Sequence, residues 1–178
     1  MEQVLLGFSW GFRRKGSSWE PGYSNQVMAW WAIAHWNEFV HRSFQKEINY
    51  IVELNGFWSQ CVVEGIANER KYSRDSHLIV KGHLDGLVER GFNLSKVNFV
   101  LLCKEEHYRF CRMLLRRQLA ERGIKHSWIS RAEVQVPYDP YSVQWYTRGP
   151  IRVFVYKVYR AAKALMTGQV KLKELLAE

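Results

Sequence analysis

Val97-Asn98-Phe99-Val100-Leu101-Leu102-Cys103 is the run on which the fold class depends. Apolar side chains fall on both parities, so the strand it predicts is covered on both faces, as a central strand of a parallel sheet is. Directly after it, Lys104 to Gly123 places Tyr108, Cys111, Leu114, Leu115 and Leu119 at helical spacing and ends on a glycine. A buried strand leading into a helix that packs back on it is half of a right-handed βαβ unit.

Toward the amino terminus, Ile79, Val80, Leu84, Leu87 and Val88 repeat the helical spacing, with Asp75 or Ser76 as cap and Gly91 as the αL stop. Ile48 to Leu54 predicts a second strand ended by Asn55-Gly56, and Cys61, Val62, Gly65 and Ile66 suit a short helix. Val4-Leu5-Leu6 opening on Gly7 predicts a buried first strand. Gly11 to Tyr23, rich in glycine, serine and arginine, predicts a long loop. Ser24 or Asn25 then caps a helix from Gln26, whose inward face would hold Val27, Trp30, Trp31, Ala34 and Val40. Toward the carboxyl terminus, Lys125 to Ile129 predicts a fourth strand. The aromatic loop YDPYSVQWY follows, then a helix from Pro150 to Gly168. The reading is α/β: one domain over residues 1–178, with a short, mostly parallel sheet covered by helices.

Composition agrees with a packed core, since 47 % of residues are apolar. No apolar run reaches the roughly 18 residues of a membrane span. The start, MEQVLLGFSWGF, has neither a basic n-region nor a small-residue cleavage site, so no signal peptide is expected. Cys61, Cys103 and Cys111 are odd in number and lack CxxC spacing, which suits reduced thiols in a cytoplasm. The net charge of +9 is uneven: residues 1–103 balance at +1, and residues 104–178 carry 15 Lys/Arg against 7 Asp/Glu. Such a half attracts phosphorylated molecules, nucleic acid or an acidic membrane face, unless its cations only solvate outer helix faces.

Ligands of open parallel sheets sit outside the carboxyl ends of the strands. That rule selects Gly7, Ser9 and Gly11 after the first strand, Asn55 and Gly56 after the second, and Lys104, Glu105, Glu106 and His107 after the third. The polar stretch holding Glu69 and Ser73 to Ser76 opens a helix and adds a fourth cluster. Gly7, Gly11 and Gly56 permit close approach of backbone to an anion, or merely make tight turns. Gly7-Phe8-Ser9-Trp10-Gly11 has the GxSxG spacing of a nucleophile elbow but lacks the helix that must follow. His107, in the first turn of a helix, can bind phosphate, act as acid or base, or satisfy the helix end. Glu69, Asp75 and Ser76 suit a divalent ion or a sugar hydroxyl, while Asp75 and Ser76 serve equally as caps. His77 and His83 are six apart and do not share a helical face, so no zinc site is expected. The 151–167 helix carries Arg152, Lys157, Arg160 and Lys163 on an otherwise apolar sequence. It reads as a cover for one sheet face, with an acidic membrane surface as the other reading.

Four stretches, in order, resemble the domain-of-unknown-function family that includes the bacterial YdcF, SanA and ElyC proteins. They are VLLGFSWG (Val4 to Gly11), VELNG (Val52 to Gly56), ERKYSRDS (Glu69 to Ser76) and FVLLCKEEHYRF (Phe99 to Phe110). The closing RVFVYKVYRAAKALMTGQV (Arg152 to Val170) is also similar to tails of the family. Asn55 stands where the family has serine, and Phe110 occupies the arginine position after His107, leaving Arg109 or Arg112 as substitutes. The resemblance implies a Rossmann-like three-layer α/β/α sandwich and a role in envelope or polysaccharide metabolism, or binding of a nucleotide-like ligand such as S-adenosylmethionine. Most envelope members of the family carry an N-terminal membrane anchor, which is not seen here, so a cytoplasmic location is expected.

The leading expectation is therefore a site for an anionic, phosphate-bearing small molecule, open to phosphoester hydrolysis. His107, Asp75 and Glu69 are its candidate chemical groups. Gly7, Ser9, Gly11, Asn55, Gly56, Ser73, Ser76, Lys104 and Arg109 are its candidate contacts. The residues name no cofactor. The alternative is a nucleic-acid or protein-interaction module using the basic half with Trp128, Tyr138, Tyr141, Trp145 and Tyr146, or the aromatics around Trp10 and Trp19.

Overall fold

Val4, Leu5 and Leu6 are completely buried, because the first strand lies in the middle of the sheet. The computed structural model describes residues 2–16, 18–63, 76–125 and 128–166. Its main sheet has five strands: β1 (Glu2–Gly7), β4 (His41–Gln45), β5 (Cys61–Val63), β6 (Val97–Leu102) and β7 (Trp128–Arg131). Every neighbouring pair is parallel, in the order β5-β4-β1-β6-β7. A separate antiparallel hairpin, β2 (Phe12–Lys15) and β3 (Ser18–Pro21), occupies the stretch expected to be loop.

Successive side chains of a strand point to opposite faces, and here each face has its own core. Leu5 and Phe44 meet α1 (Tyr23–Ala34) and α2 (Lys46–Leu54) through Met28, Ala29, Ala32, Ile48 and Val52. Val4, Leu6 and Phe99 meet α3 (Ser76–Glu89) and α4 (Glu105–Glu121) through Val80, Leu84, Leu87, Cys111 and Leu115. The result is a Rossmann-like three-layer sandwich. No helix among the described residues is long and apolar enough to cross a membrane.

Several local expectations are corrected. Residues 48–54 are helical and not a strand: Ile48, Ile51 and Val52 sit at i, i+3 and i+4 and are buried together. The strand is instead the polar β4, whose buried His41, Ser43 and Gln45 a hydropathy reading passes over. Cys61 to Val63 is an edge strand, not part of a helix. The fourth sheet segment lies later than expected, at Trp128–Arg131. In α1, Gly22 is the N-cap and Ser24 and Asn25 are inside the first turn. Its buried face is Met28, Ala29 and Ala32, leaving Trp30 and the later Val40 exposed. The last helix, α5 (Pro150–Met166), does not cover the sheet: Val153 is buried, but Ile151, Phe154, Val155 and Val158 face outward.

Candidate functional site

Numbered along the chain, the five sheet strands run 3-2-1-4-5 across the sheet, so the winding reverses between β1 and β6. Open α/β sheets bind ligands in the crevice above that switch point. Phe8 prolongs the β1–β6 pairing by donating its N–H to the Leu102 carbonyl at 2.9 Å. Beyond it the loop is braced by neighbours. The Ser9 N–H donates to Gln45 Oε1 at 2.6 Å and the Trp10 N–H to Asn25 Oδ1 at 2.7 Å, while Asn25 Nδ2 donates back to the Gly11 carbonyl. Two backbone donors that could cradle an anion are thus already bound. Gly7 has a packing reason, since a Cβ there would lie 2.5 Å from the buried Phe44 ring. Gly11 likewise backs onto Ser142 and Thr147.

The first turn of α4 brings His107 to this loop. Its ring lies 5.2 Å from Trp10, 6.5 Å from Phe8 and 6.2 Å from Phe110, the last stacked. Ser9, between Phe8 and Trp10 in the chain, is half-buried, and its hydroxyl has no hydrogen-bond partner among the described residues. The Trp10 indole is buried, and its Nε1–H has no acceptor among the described residues. A buried unsatisfied donor is rare enough in folded proteins to require a reason.

Lys104 is at the same edge but turned away into the protein. Its ammonium donates to the Val136 carbonyl, lies 3.5 Å from Glu106 Oε2 and sits 3.8 Å from the centre of the Tyr138 ring. Burial lowers the Lys104 pKa, opposed by Glu106 and Glu105. Tyr138 donates to Glu106 and is pushed up to about 12, first by burial and then by that bond. Burial would raise Glu106, but the Tyr138 hydroxyl and Lys104 outweigh it and hold the carboxyl below its usual range.

The helix terminus that holds phosphate in dinucleotide-binding folds is already served by the chain itself. The carboxylate of Asp139, completely buried, accepts the Tyr23 N–H at the start of α1 at 2.9 Å and the Tyr141 N–H at 3.1 Å. Arg13, from the hairpin, closes on it with Nε and Nη2. These donors hold Asp139 below the usual carboxylate range against the opposing effect of burial. A charge-paired carboxylate thus neutralises the positive end of α1.

Of the other residues singled out in sequence, Asn55 and Gly56 leave the site. They close α2 at the amino edge of the sheet, where the nearby Gln60 N–H reaches the Arg42 carbonyl. Asn55 Nδ2 donates to Ile51 and Gly56 has φ 78°, so both are helix-terminating residues. Ser76 begins α3, and the adjacent His77 carbonyl accepts from Gln118, eleven residues beyond His107 and about 16 Å along α4. Arg109 is exposed on α4. Glu69, Ser73 and Asp75 lie outside the described residues. Of the expected residues, Ser9 lies in the loop at the switch point and His107 reaches that loop through Phe8 and Trp10, while Lys104 shares the edge with its side chain turned inward; Gly7 and Gly11 frame the loop. Trp10, expected at an exposed aromatic surface, is buried.

Sequence reasoning missed Asp139, Asn25 and Gln45, each a polar side chain that binds backbone far away in the chain. It also missed the pair of Ser43 Oγ and His83 Nδ1, 2.6 Å apart and fully buried. That pair is sealed from solvent and serves the core. Among the described residues, no three His, Cys, Asp or Glu side chains are grouped to hold a metal ion. Comparison with protein-family models, curated proteins and solved structures finds no match.

Proposed function

We propose that this chain binds an anionic, phosphate-bearing small molecule of nucleotide or nucleotide-sugar type, or a carboxylate-bearing one of S-adenosylmethionine type, above the β1–β6 switch point. The observation that supports this reading best is the buried Trp10 indole N–H, without an acceptor among the described residues, with its ring 5.2 Å from that of His107. A phosphate or carboxylate oxygen accepts from indole and imidazole N–H groups alike, and from the hydroxyl of Ser9 in the same loop. Because Gln45, Asn25 and Asp139 already serve the loop and α1, recognition uses side chains in place of a glycine-loop cradle. Its catalytic form is phosphoester hydrolysis with His107 as acid or base, and the resemblance to the YdcF group adds an envelope or polysaccharide setting, with a cytoplasmic location.

Melting curves with ADP, a uridine-diphosphate sugar and S-adenosylmethionine test the reading. At about a hundred times Kd a ligand adds about 2.7 kcal/mol, which is about 5–10 °C for a domain of this size. The Ser9→Ala, His107→Ala double variant should lose that shift. If none of the three probes raises the wild-type midpoint above that of the double variant, the reading fails.

A second reading, single-stranded nucleic-acid binding, is favoured by exposed Tyr141, whose ring lies 5.3 Å from the Arg13 guanidinium, and by exposed Trp128. It requires affinity that falls steeply with salt in gel shifts.

A further inference from the structure

Helix α5 is placed the wrong way round for a sheet-covering helix. Its inward side is Val153, which is buried, and Tyr156, which stacks on Tyr146 with ring centres 3.9 Å apart. Tyr146 in turn meets the Trp10 ring, so α5 is tied to the body next to the candidate site. At 100° per residue, Phe154, Val158, Ile151, Ala162, Val155 and Tyr159 fall on one arc about 140° wide, opposite those anchors. That arc is solvent-facing, with Ile151 79 % and Phe154 67 % exposed. Arg152 and Lys157, both exposed, lie on its two borders.

We propose that this face of α5 docks on an anionic lipid surface. An apolar arc bordered by cations matches the boundary between acyl chains and acidic headgroups, with the side chains of Arg152 and Lys157 reaching back to the phosphates. Charge selects this occupant over a second copy of the chain. Residues 150–166 hold four Lys/Arg and no Asp/Glu, so two such faces repel when paired. The aliphatic centre of the arc likewise offers nothing to a nucleic-acid backbone. Docking would hold the β1–β6 crevice close to the membrane, through the Tyr156–Tyr146–Trp10 contacts.

Flotation of the full chain with vesicles tests this, using phosphatidylcholine alone and phosphatidylcholine with about 30 % phosphatidylglycerol. Binding is expected to the anionic vesicles only and to weaken on going from about 0.15 M to about 0.5 M salt. Phe154→Glu with Val158→Glu should lower the partition at least about tenfold, with the melting temperature unchanged because both side chains are exposed. Arg152→Glu with Lys157→Glu should also abolish binding. Absence of wild-type binding, or equal binding by the Phe154→Glu, Val158→Glu variant, overturns the proposal. So does a concentration-dependent dimer in light scattering that this variant dissolves, since the face then belongs to self-association. Retention of single-stranded oligonucleotide unaffected by the same variant, without vesicle binding, also overturns it.

Discussion

Acid should destabilise this protein well above the range where carboxylates titrate, through two buried imidazoles. His83 is fully buried against Phe8, with Nδ1 bound to Ser43, and its pKa is lowered to about 3, chiefly by burial and only partly opposed by the Gly7 backbone. His41 is buried beside Phe92 and lowered to about 4 by burial, with Arg90 and Arg42 adding to the effect. Unfolded histidine titrates near 6.5, so below that pH the unfolded chain takes up protons that the folded chain refuses. The contribution is therefore complete above about pH 6.5 and is lost as pH falls toward the folded values. At pH 5 each imidazole has cost about 2 kcal/mol, or about 4 kcal/mol together, a large part of a typical stability of about 5–15 kcal/mol. Urea unfolding at a series of pH values should show a slope of about 2.7 kcal/mol per pH unit between about 5.5 and 4.5. His83→Asn keeps an acceptor for Ser43 but does not titrate. It should cost about 2 kcal/mol at neutral pH and halve that slope. An unchanged slope in the variant, or flat wild-type stability from pH 7 to 5, would refute the assignment of His83 as a buried neutral base.

Further expectations concern the residues that shape the site. Asp139→Asn should destabilise by about 3 kcal/mol in denaturant titrations, because Arg13 and two backbone N–H groups lose a charged acceptor. The native Asp139 contribution should persist above about pH 4 and fade below it, so the variant's stability should vary less with pH there. Gly7→Ala should cost about 2 kcal/mol by driving a methyl into the Phe44 ring, whereas Gly56→Ala should cost about 1 kcal/mol for its left-handed backbone and leave ligand shifts untouched. A Gly56→Ala variant that lost ligand response would return the amino edge of the sheet to consideration.

The layers of the fold were legible in sequence where burial is uniform. Val4 to Leu6 and Phe99 to Leu102 are continuous apolar runs, and α4 keeps its inward residues at strict helical spacing. Legibility failed where polar side chains are buried and satisfied by distant partners. In β4, Ser43 is matched by His83 and Gln45 by the Ser9 backbone, so a strand of the sheet reads as a polar connection. Residues 48–54 contain enough β-branched side chains to suggest a strand, and the spacing of Ile48, Ile51 and Val52 was the better guide. That misassignment put Asn55 and Gly56 at the wrong edge. For the site, strand-end reasoning located Ser9, Lys104 and His107, because topology alone places them. It could not show that Lys104 is consumed by Val136 and Glu106, nor that Asp139 serves α1 from 116 residues away. For α5, an apolar helix sequence reads as a cover for the sheet because hydropathy does not say which way a helix faces.

Two-dimensional NMR of the histidine rings and backbone amides during an ADP titration is the most direct check on where a ligand sits. Saturable shifts at the His107 ring and the Ser9 and Trp10 amides, with Asn55 and Gly56 unmoved, are predicted. Shifts confined to the amino edge of the sheet, or identical small changes throughout the chain, would contradict the placement of the site between β1 and β6.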